Sequence, residues 1–193
     1  MNMSYIVREL KPAFERMTEP LIALLQKLGA TPNLITFTGF LLVFLGSLAL
    51  YSGYTALSFL LLLLGALADA LDGSLARRLG KNSDLGALLD SLLDRVSDAL
   101  PFIALALSSQ DRLLSLMALL AMLFSFTVSY TRARAEGLGY ELKAGLFERP
   151  ERWAVLLAGI ALDMVFIAVS IVALGSLFTT LQRVYIFKKS QRR

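Results

Sequence analysis

The 193-residue chain contains no cysteine and no histidine. Without cysteine there is no disulfide scaffold, no thiol nucleophile and no thiolate metal site. Without histidine there is no imidazole base, no histidine-ligated haem or zinc, and no triad built on imidazole. Charge is scarce as well. Lys, Arg, Asp and Glu make up 18% of the residues against 56% hydrophobic ones, which is more apolar surface than one soluble core of this length hides. Catalysis is left to carboxylates, hydroxyls, lysine, arginine or a hard metal ion. The net charge of +4 would suit nucleic acid, but the positions of the charges exclude that partner and point to a lipid bilayer.

From Leu28 to Ala68, 41 consecutive residues carry no charge. A helix crossing the hydrocarbon needs about 20 residues, so this run holds two spans. They break at Tyr51-Ser52-Gly53-Tyr54-Thr55, where small and polar residues mark a turn. The spans are predicted near 33–51 and 55–79. A second hairpin is predicted over 85–107 and 113 to about 134, turning at Ser108-Ser109-Gln110-Asp111-Arg112. A third runs from about 151 to 162 and from 165 to about 183, although its first member has only a short uncharged stretch, Trp153 to Leu162.

Before these spans, Ile6, Leu10, Phe14, Met17, Leu21 and Leu24 recur at helical spacing with Arg8, Lys11, Glu15 and Arg16 between them. That pattern predicts an amphipathic helix lying in the membrane interface. The expected fold is therefore an all-α integral membrane protein with six transmembrane helices and an N-terminal interfacial helix. It forms one membrane domain over 1–193, the interfacial helix within 1–28 and the six-helix body within 31–187.

The segments 1–27, 77–83, 132–152 and 183–193 hold 17 of the 19 lysines and arginines. Basic residues retained on the inner side fix orientation, so both termini are expected in the cytoplasm and the protein in the cell membrane. The first 20 residues carry six charges and no apolar core, unlike a cleavable signal peptide. The tail Lys188-Lys189-Ser190-Gln191-Arg192-Arg193 is expected to attract anionic lipid headgroups.

The residues that carry chemistry are acids where a membrane helix should have none. Asp69 and Asp72 are three apart and share a helix face, and Asp90 and Asp94, four apart, share a face of the next helix. The short connection makes the two helices antiparallel neighbours. At 1.5 Å per residue, Asp72 and Asp90 lie about 10 Å, and Asp69 and Asp94 about 15 Å, from the loop that joins them. Four carboxylates at two matched depths would each be costly unless paired. A divalent hard cation suits all four at once. Gly73 and Gly86 remove side chains where helices or a ligand approach. Arg77, eight residues after Asp69, returns to that face nearer the cytosol and suits phosphate. Asp98 and Arg95 are expected to serve as structural ion-pair or hydrogen-bond partners. An acidic cluster within membrane helices also fits a divalent-cation transporter, which would move metal without any nucleotide donor.

The stretch Asp69-x2-Asp72-Gly73-x2-Ala76-Arg77-x8-Gly86-x3-Asp90-x3-Asp94 resembles the signature of the CDP-alcohol phosphotransferase family at every fixed position. The resemblance, together with the six-span layout, covers essentially the whole chain. It implies an enzyme that transfers a phosphoryl-linked group from a CDP donor to an acceptor hydroxyl and releases CMP, with Mg²⁺ or Mn²⁺ as cofactor and a homodimer as assembly. By that resemblance Asp69, Asp72 and Asp90 are metal ligands. Asp94 is the general base and also touches metal. Gly73, Ala76, Arg77, Ser83 and Gly86 face the CDP group, as do Pro32 and Asn33 of Thr31-Pro32-Asn33.

The segments Arg132-Ala-Arg134 and Glu148-Arg149-Pro150-Glu151-Arg152 resemble the branch that makes phosphatidylinositol phosphate, or its archaeal ether-lipid counterpart, from a CDP-lipid and inositol 1-phosphate. By that resemblance Arg132, Arg152 and Arg183 hold the acceptor phosphate, with Arg134 and Arg149 as substitutes. The forked, permanently charged guanidinium suits that task, although inner-loop arginines also simply enforce topology. The other acceptors or donors within the resemblance are glycerol 3-phosphate, as in phosphatidylglycerophosphate synthase, and CDP-inositol, as in di-inositol phosphate phosphate synthase.

Overall fold

The computed structural model describes residues 5–79, 84–142 and 145–190, without the side chains of 5–15, 77 and 79. These residues form seven α-helices: α1 (Tyr5–Lys27), α2 (Pro32–Tyr51), α3 (Thr55–Leu79), α4 (Asp84–Ser108), α5 (Arg112–Gly137), α6 (Arg149–Ala161) and α7 (Val165–Ser190). Four of them, α2, α3 through Ala76, α5 and α7, are long and apolar enough to cross a membrane. The helix α4 has the length but carries Asp84, Asp90, Asp94, Arg95 and Asp98. With 13 residues, α6 reaches about 20 Å, short of a hydrocarbon core of about 30 Å.

The chain divides into two compact units, residues 10–104 and residues 105–193 with 1–9. In the first unit, α2 begins where Thr31 caps it: its hydroxyl accepts from the Leu34 N–H at 3.3 Å, and Pro32 fills the first turn. Gly29 closes α1 and Gly53 closes α2 with φ of 73° and 81°. In each case the N–H of the following residue, Ala30 or Tyr54, bonds back five residues to Leu25 or Ala49. This is the left-handed helix stop that glycine makes without strain.

The buried stripe of α2, including Ile35, Gly39, Val43 and Gly46, faces α3, while Leu34, Phe37, Leu41, Phe44 and Leu48 stay exposed on the opposite side. Helix association in lipid relies on close packing of small residues rather than on a hydrophobic drive, and that is how α2 and α3 meet. A Cβ on Gly39 would lie 3.2 Å from Ala68 Cβ, and one on Gly65 would lie 2.6 Å from Val43 Cγ2. The end of α1 joins this hairpin: Ile22, Ile35 and Leu75 form a buried cluster, with Leu25, Ala68 and Leu71 packed against it. That cluster lies at the same stretch of α3 as Asp69 and Asp72.

In the second unit, Asp111 caps α5 through Leu113 N–H at 2.8 Å. A capping box starts α6, with the Glu148 N–H donating to Glu151 Oε2 at 3.1 Å. Helices α5 and α7 pack along a polar seam in which the Thr127 and Thr180 hydroxyls bond at 2.9 Å. At the α6–α7 turn, Gly159 leaves room for Ala168.

Candidate active site

The first unit carries the acids. Asp72, on α3, is 5% exposed, and its Oδ2 accepts a 2.6 Å hydrogen bond from Thr36 Oγ1 on α2. The same Thr36 hydroxyl lies 3.1 Å from the Pro32 carbonyl one turn earlier, so it ties the Thr31-Pro32-Asn33 helix start to the buried acid. Asp69, Asp72 and Asp90 each place a carboxylate oxygen within 4.8 Å of the others. Three anionic oxygens so close repel one another unless a cation or a proton intervenes. An all-oxygen donor set with no sulfur or nitrogen suits a hard divalent ion such as Mg²⁺ or Mn²⁺. The residues fit the metal that the sequence implies.

Asp90 thus joins both α3 acids rather than Asp72 alone. Asp94, one turn further along α4, is not in that cluster, and its Oδ2 lies 3.8 Å from Arg95 Nη1. Gly73 and Ala76 follow Asp72 within α3, and Gly86 precedes Asp90 by one turn of α4. Pro32 and Asn33 occupy the first turn of α2. Ser83 and the side chain of Arg77 lie outside the described residues.

Thr36 was not singled out by the sequence. A threonine inside an apolar run ordinarily bonds its own helix backbone, and nothing local marks this one as reaching Asp72. Partners that orient a metal ligand carry a large share of its affinity, about 10–100-fold in metal sites. Thr36→Val, which keeps the shape and removes the hydroxyl, is therefore expected to weaken Mn²⁺ binding about tenfold, with Thr36→Ser restoring it. A Mn²⁺ titration followed by electron paramagnetic resonance reads this directly. Equal affinity in Thr36→Val and wild type would show that Thr36 does not orient Asp72.

The second unit carries the arginines. Arg183 on α7 is 2% exposed and Arg152 on α6 is 3% exposed. Arg183 splits its fork: Nη1 donates to the Val128 carbonyl on α5, and Nη2 donates to Glu148 Oε1 at 3.2 Å. The loop before α6 is seated to allow this. A Cβ on Gly145 would lie 3.1 Å from Arg183 Nη2. Phe147 packs on Gly175, and its N–H donates to Thr179 Oγ1 at 3.1 Å. Glu148 follows directly. Burial pushes its carboxyl above the usual range, against the opposing charges of Arg183, Arg132 and Arg152. The three arginines named from the sequence therefore all act on one carboxylate. Arg132 is the exposed member, held by Glu136 at 2.9 Å on its own helix. Sequence reasoning missed Glu148. Its signal was the spacing Glu148-x2-Glu151 around Pro150, a helix start with a glutamate in place of the usual hydroxyl.

Residues 29–185 match the sequence profile of the CDP-alcohol phosphatidyltransferases. The chain belongs to that family. It is similar to the archaetidylinositol phosphate synthase of Pyrococcus horikoshii, at 38% identity over 185 residues, covering 95% of this chain and 97% of that one. It is also similar to two crystal structures of Mycobacterium tuberculosis phosphatidylinositol phosphate synthase. The complex with manganese and citrate has a TM-score of 0.79 at 30% identity, over 87% of each chain. The structure with CDP-DAG bound has a TM-score of 0.80 at 30% identity, covering 89% of this chain and 94% of that one. Family membership makes this protein a multi-pass membrane enzyme of phospholipid biosynthesis. It is a transferase that uses a CDP donor and works with Mg²⁺ or Mn²⁺.

Proposed function

We propose that the protein transfers the phosphatidyl or archaetidyl group of a CDP-lipid to the hydroxyl of inositol 1-phosphate, releasing CMP. The observation that carries this reading is the pair of buried arginines Arg152 and Arg183, which with Arg132 act electrostatically on the Glu148 carboxylate that Arg183 bonds at 3.2 Å. Permanently charged forks held in place out of bulk water are suited to a phosphomonoester dianion. The names of the two enzymes described above, an archaetidylinositol phosphate synthase and a phosphatidylinositol phosphate synthase, agree with it.

In this reading Asp69, Asp72 and Asp90 would hold a divalent metal and Asp94 would also touch a second one; when bound, the metal would offset charge on the pyrophosphate and the departing CMP. Pro32, Asn33, Gly73, Ala76, Arg77, Ser83 and Gly86 hold the CDP group. Asp94 takes the proton of the acceptor hydroxyl as that oxygen attacks the β-phosphorus. Arg132, Arg152 and Arg183 hold the acceptor phosphate. Helices α4 and α6 complete six spans within one membrane domain, and α1 lies in the inner interface. Both termini and the active site face the cytoplasm, and the enzyme works as a homodimer.

The test is CMP release by purified protein with Mg²⁺ and a CDP-lipid, with inositol 1-phosphate, glycerol 3-phosphate or no acceptor in parallel. Release that requires inositol 1-phosphate is expected. Release with glycerol 3-phosphate instead would overturn the acceptor assignment and leave the carboxylate chemistry intact. Arg152→Ala should raise KM for inositol 1-phosphate about 30-fold or more, the loss typical of a buried charge pair to phosphate. KM for the CDP-lipid should stay within about twofold of wild type. Equal losses for both substrates would return Arg152 to a purely structural role.

A further inference from the structure

Glu148 occupies an unusual place for a carboxylate in a phosphate-binding cluster. It lies on the loop that Gly145 and Phe147 seat against α7, at the N-terminus of α6. Its Oε1 takes one arm of the Arg183 fork at 3.2 Å, and its side chain is 14% exposed. The other arm of that fork is fixed on the Val128 carbonyl. Arg132 of α5 and Arg152 of α6 act electrostatically on the same carboxylate, and Glu151 opposes them. An acceptor phosphate placed on these three arginines would compete with the Glu148 carboxylate for the same guanidinium protons.

We propose that Glu148 is the resident counter-ion of the arginine cluster: it holds Arg183 while no acceptor is bound and gives way to the acceptor's phosphate, so that it sets how tightly the site takes anions. This rests on the reading of Arg132, Arg152 and Arg183 as the acceptor-phosphate site. A buried guanidinium without an anion is costly, and Glu148 removes that cost in the acceptor-free enzyme. The consequence is an affinity for anions below what three arginines alone would give. Glu148 is a positioning residue, since it acts on the ligand through Arg183.

Sulfate is a suitable probe because it stays a dianion throughout the range where carboxylates titrate. The full-length enzyme in detergent with Mg²⁺ is titrated calorimetrically at constant ionic strength, comparing wild type, Glu148→Gln and Arg152→Ala. Gln keeps the shape and an acceptor oxygen for Arg183 but removes the competing charge, so Glu148→Gln should bind sulfate about tenfold more tightly than wild type. Arg152→Ala should bind it about tenfold less tightly.

Wild type should also gain affinity as pH falls from about 8 to about 5, because Glu148 is then protonated and ceases to compete. Burial shifts its carboxyl above the usual range, against the opposing charges of Arg183, Arg132 and Arg152, and no histidine is present to titrate alongside it. The groups facing it are Arg183 on α7, Arg132 on α5, and Arg152 and Glu151 on α6. Arginines do not titrate in this range, and protonation of Glu151 would act in the same direction, so Glu151→Gln is run at both ends of the pH range to separate the two.

Weaker sulfate binding by Arg152→Ala, with no gain in Glu148→Gln, would overturn the counter-ion role and leave the phosphate site standing. Unchanged binding in Arg152→Ala would remove the phosphate site and the counter-ion with it. If Glu148→Gln does not purify as a folded protein, the pH series of wild type and Glu151→Gln decide together: affinity that rises toward low pH in both supports the proposal, and a rise that Glu151→Gln abolishes, or flat or falling affinity in wild type, overturns it.

Discussion

Asp72→Asn is expected to lower CMP release by about 10³-fold or more and to abolish measurable Mn²⁺ binding at concentrations that saturate wild type. Asp72 is the most buried of the three clustered acids and the one that Thr36 holds from the neighbouring helix. Asparagine fills the same volume and keeps an oxygen for the Thr36 hydroxyl, so the packing of α2 on α3 survives. The negative charge is what disappears, and a hard divalent ion depends on it. The same substitution should raise the melting temperature in the presence of a chelator, because one of three mutually repelling carboxylates has gone. Loss of activity together with gain of metal-free stability separates a ligand from a structural residue. Retained turnover, or a protein destabilised without metal, would remove Asp72 from the metal site.

The second large effect is expected at Asp94. Asp94→Asn should lower CMP release by about 10²–10⁴-fold, the range typical of a lost general base. Binding of the CDP-lipid and of Mn²⁺ should remain within a few-fold of wild type. Asp94 stands one turn beyond Asp90 and outside the oxygen cluster, beside Arg95. In the proposed reading that placement sets Asp94 apart for proton transfer, while the other three acids hold the metal. The split between binding and turnover distinguishes it from Asp72, where both fall together. A loss of Mn²⁺ binding equal to the loss of turnover would leave Asp94 with its metal contact alone and remove the base assignment.

Much of the helical layout was legible in the residues themselves. The uncharged run Leu28–Ala68 and the Ser52-Gly53 break place two spans near 33–51 and 55–79, and the helices run Pro32–Tyr51 and Thr55–Leu79. Helix ends differ from span ends where a helix runs on past the apolar stretch. The last helix continues to Ser190, beyond the Arg183 at which the apolar pattern stops, because no glycine or proline follows to break it. The span count is harder to read. A charged α4 and a 13-residue α6 are defined by what packs around them, which no window of sequence contains.

The site was legible to the extent that charge in an apolar helix is conspicuous. Asp69, Asp72 and Asp90 announce themselves, and their spacing puts them on facing helices. Thr36 and Glu148 do not. A hydroxyl amid leucines and a glutamate in a basic loop are ordinary until the packing of α2 on α3, or of the 145–148 loop on α7, brings each to its partner.

The contact between α2 and α3 bears on how the enzyme is made. The two helices are joined by a three-residue turn and meet through glycines, so the hairpin has what it needs to assemble before α4 leaves the ribosome. A hairpin formed in that order would hold Asp69 and Asp72 before the third acid is synthesised. Thr36 bonds Asp72 from within the hairpin, so the more buried of the two carboxylates has a partner that does not depend on α4. Arrival of α4 adds Asp90 and converts a tolerated pair of acids into a cluster that calls for a cation. If a metal offsets that cluster, chains made in a cell depleted of divalent ions should hold α4 less firmly and be degraded faster by membrane proteases than chains made with metal, as a pulse-chase measurement would read.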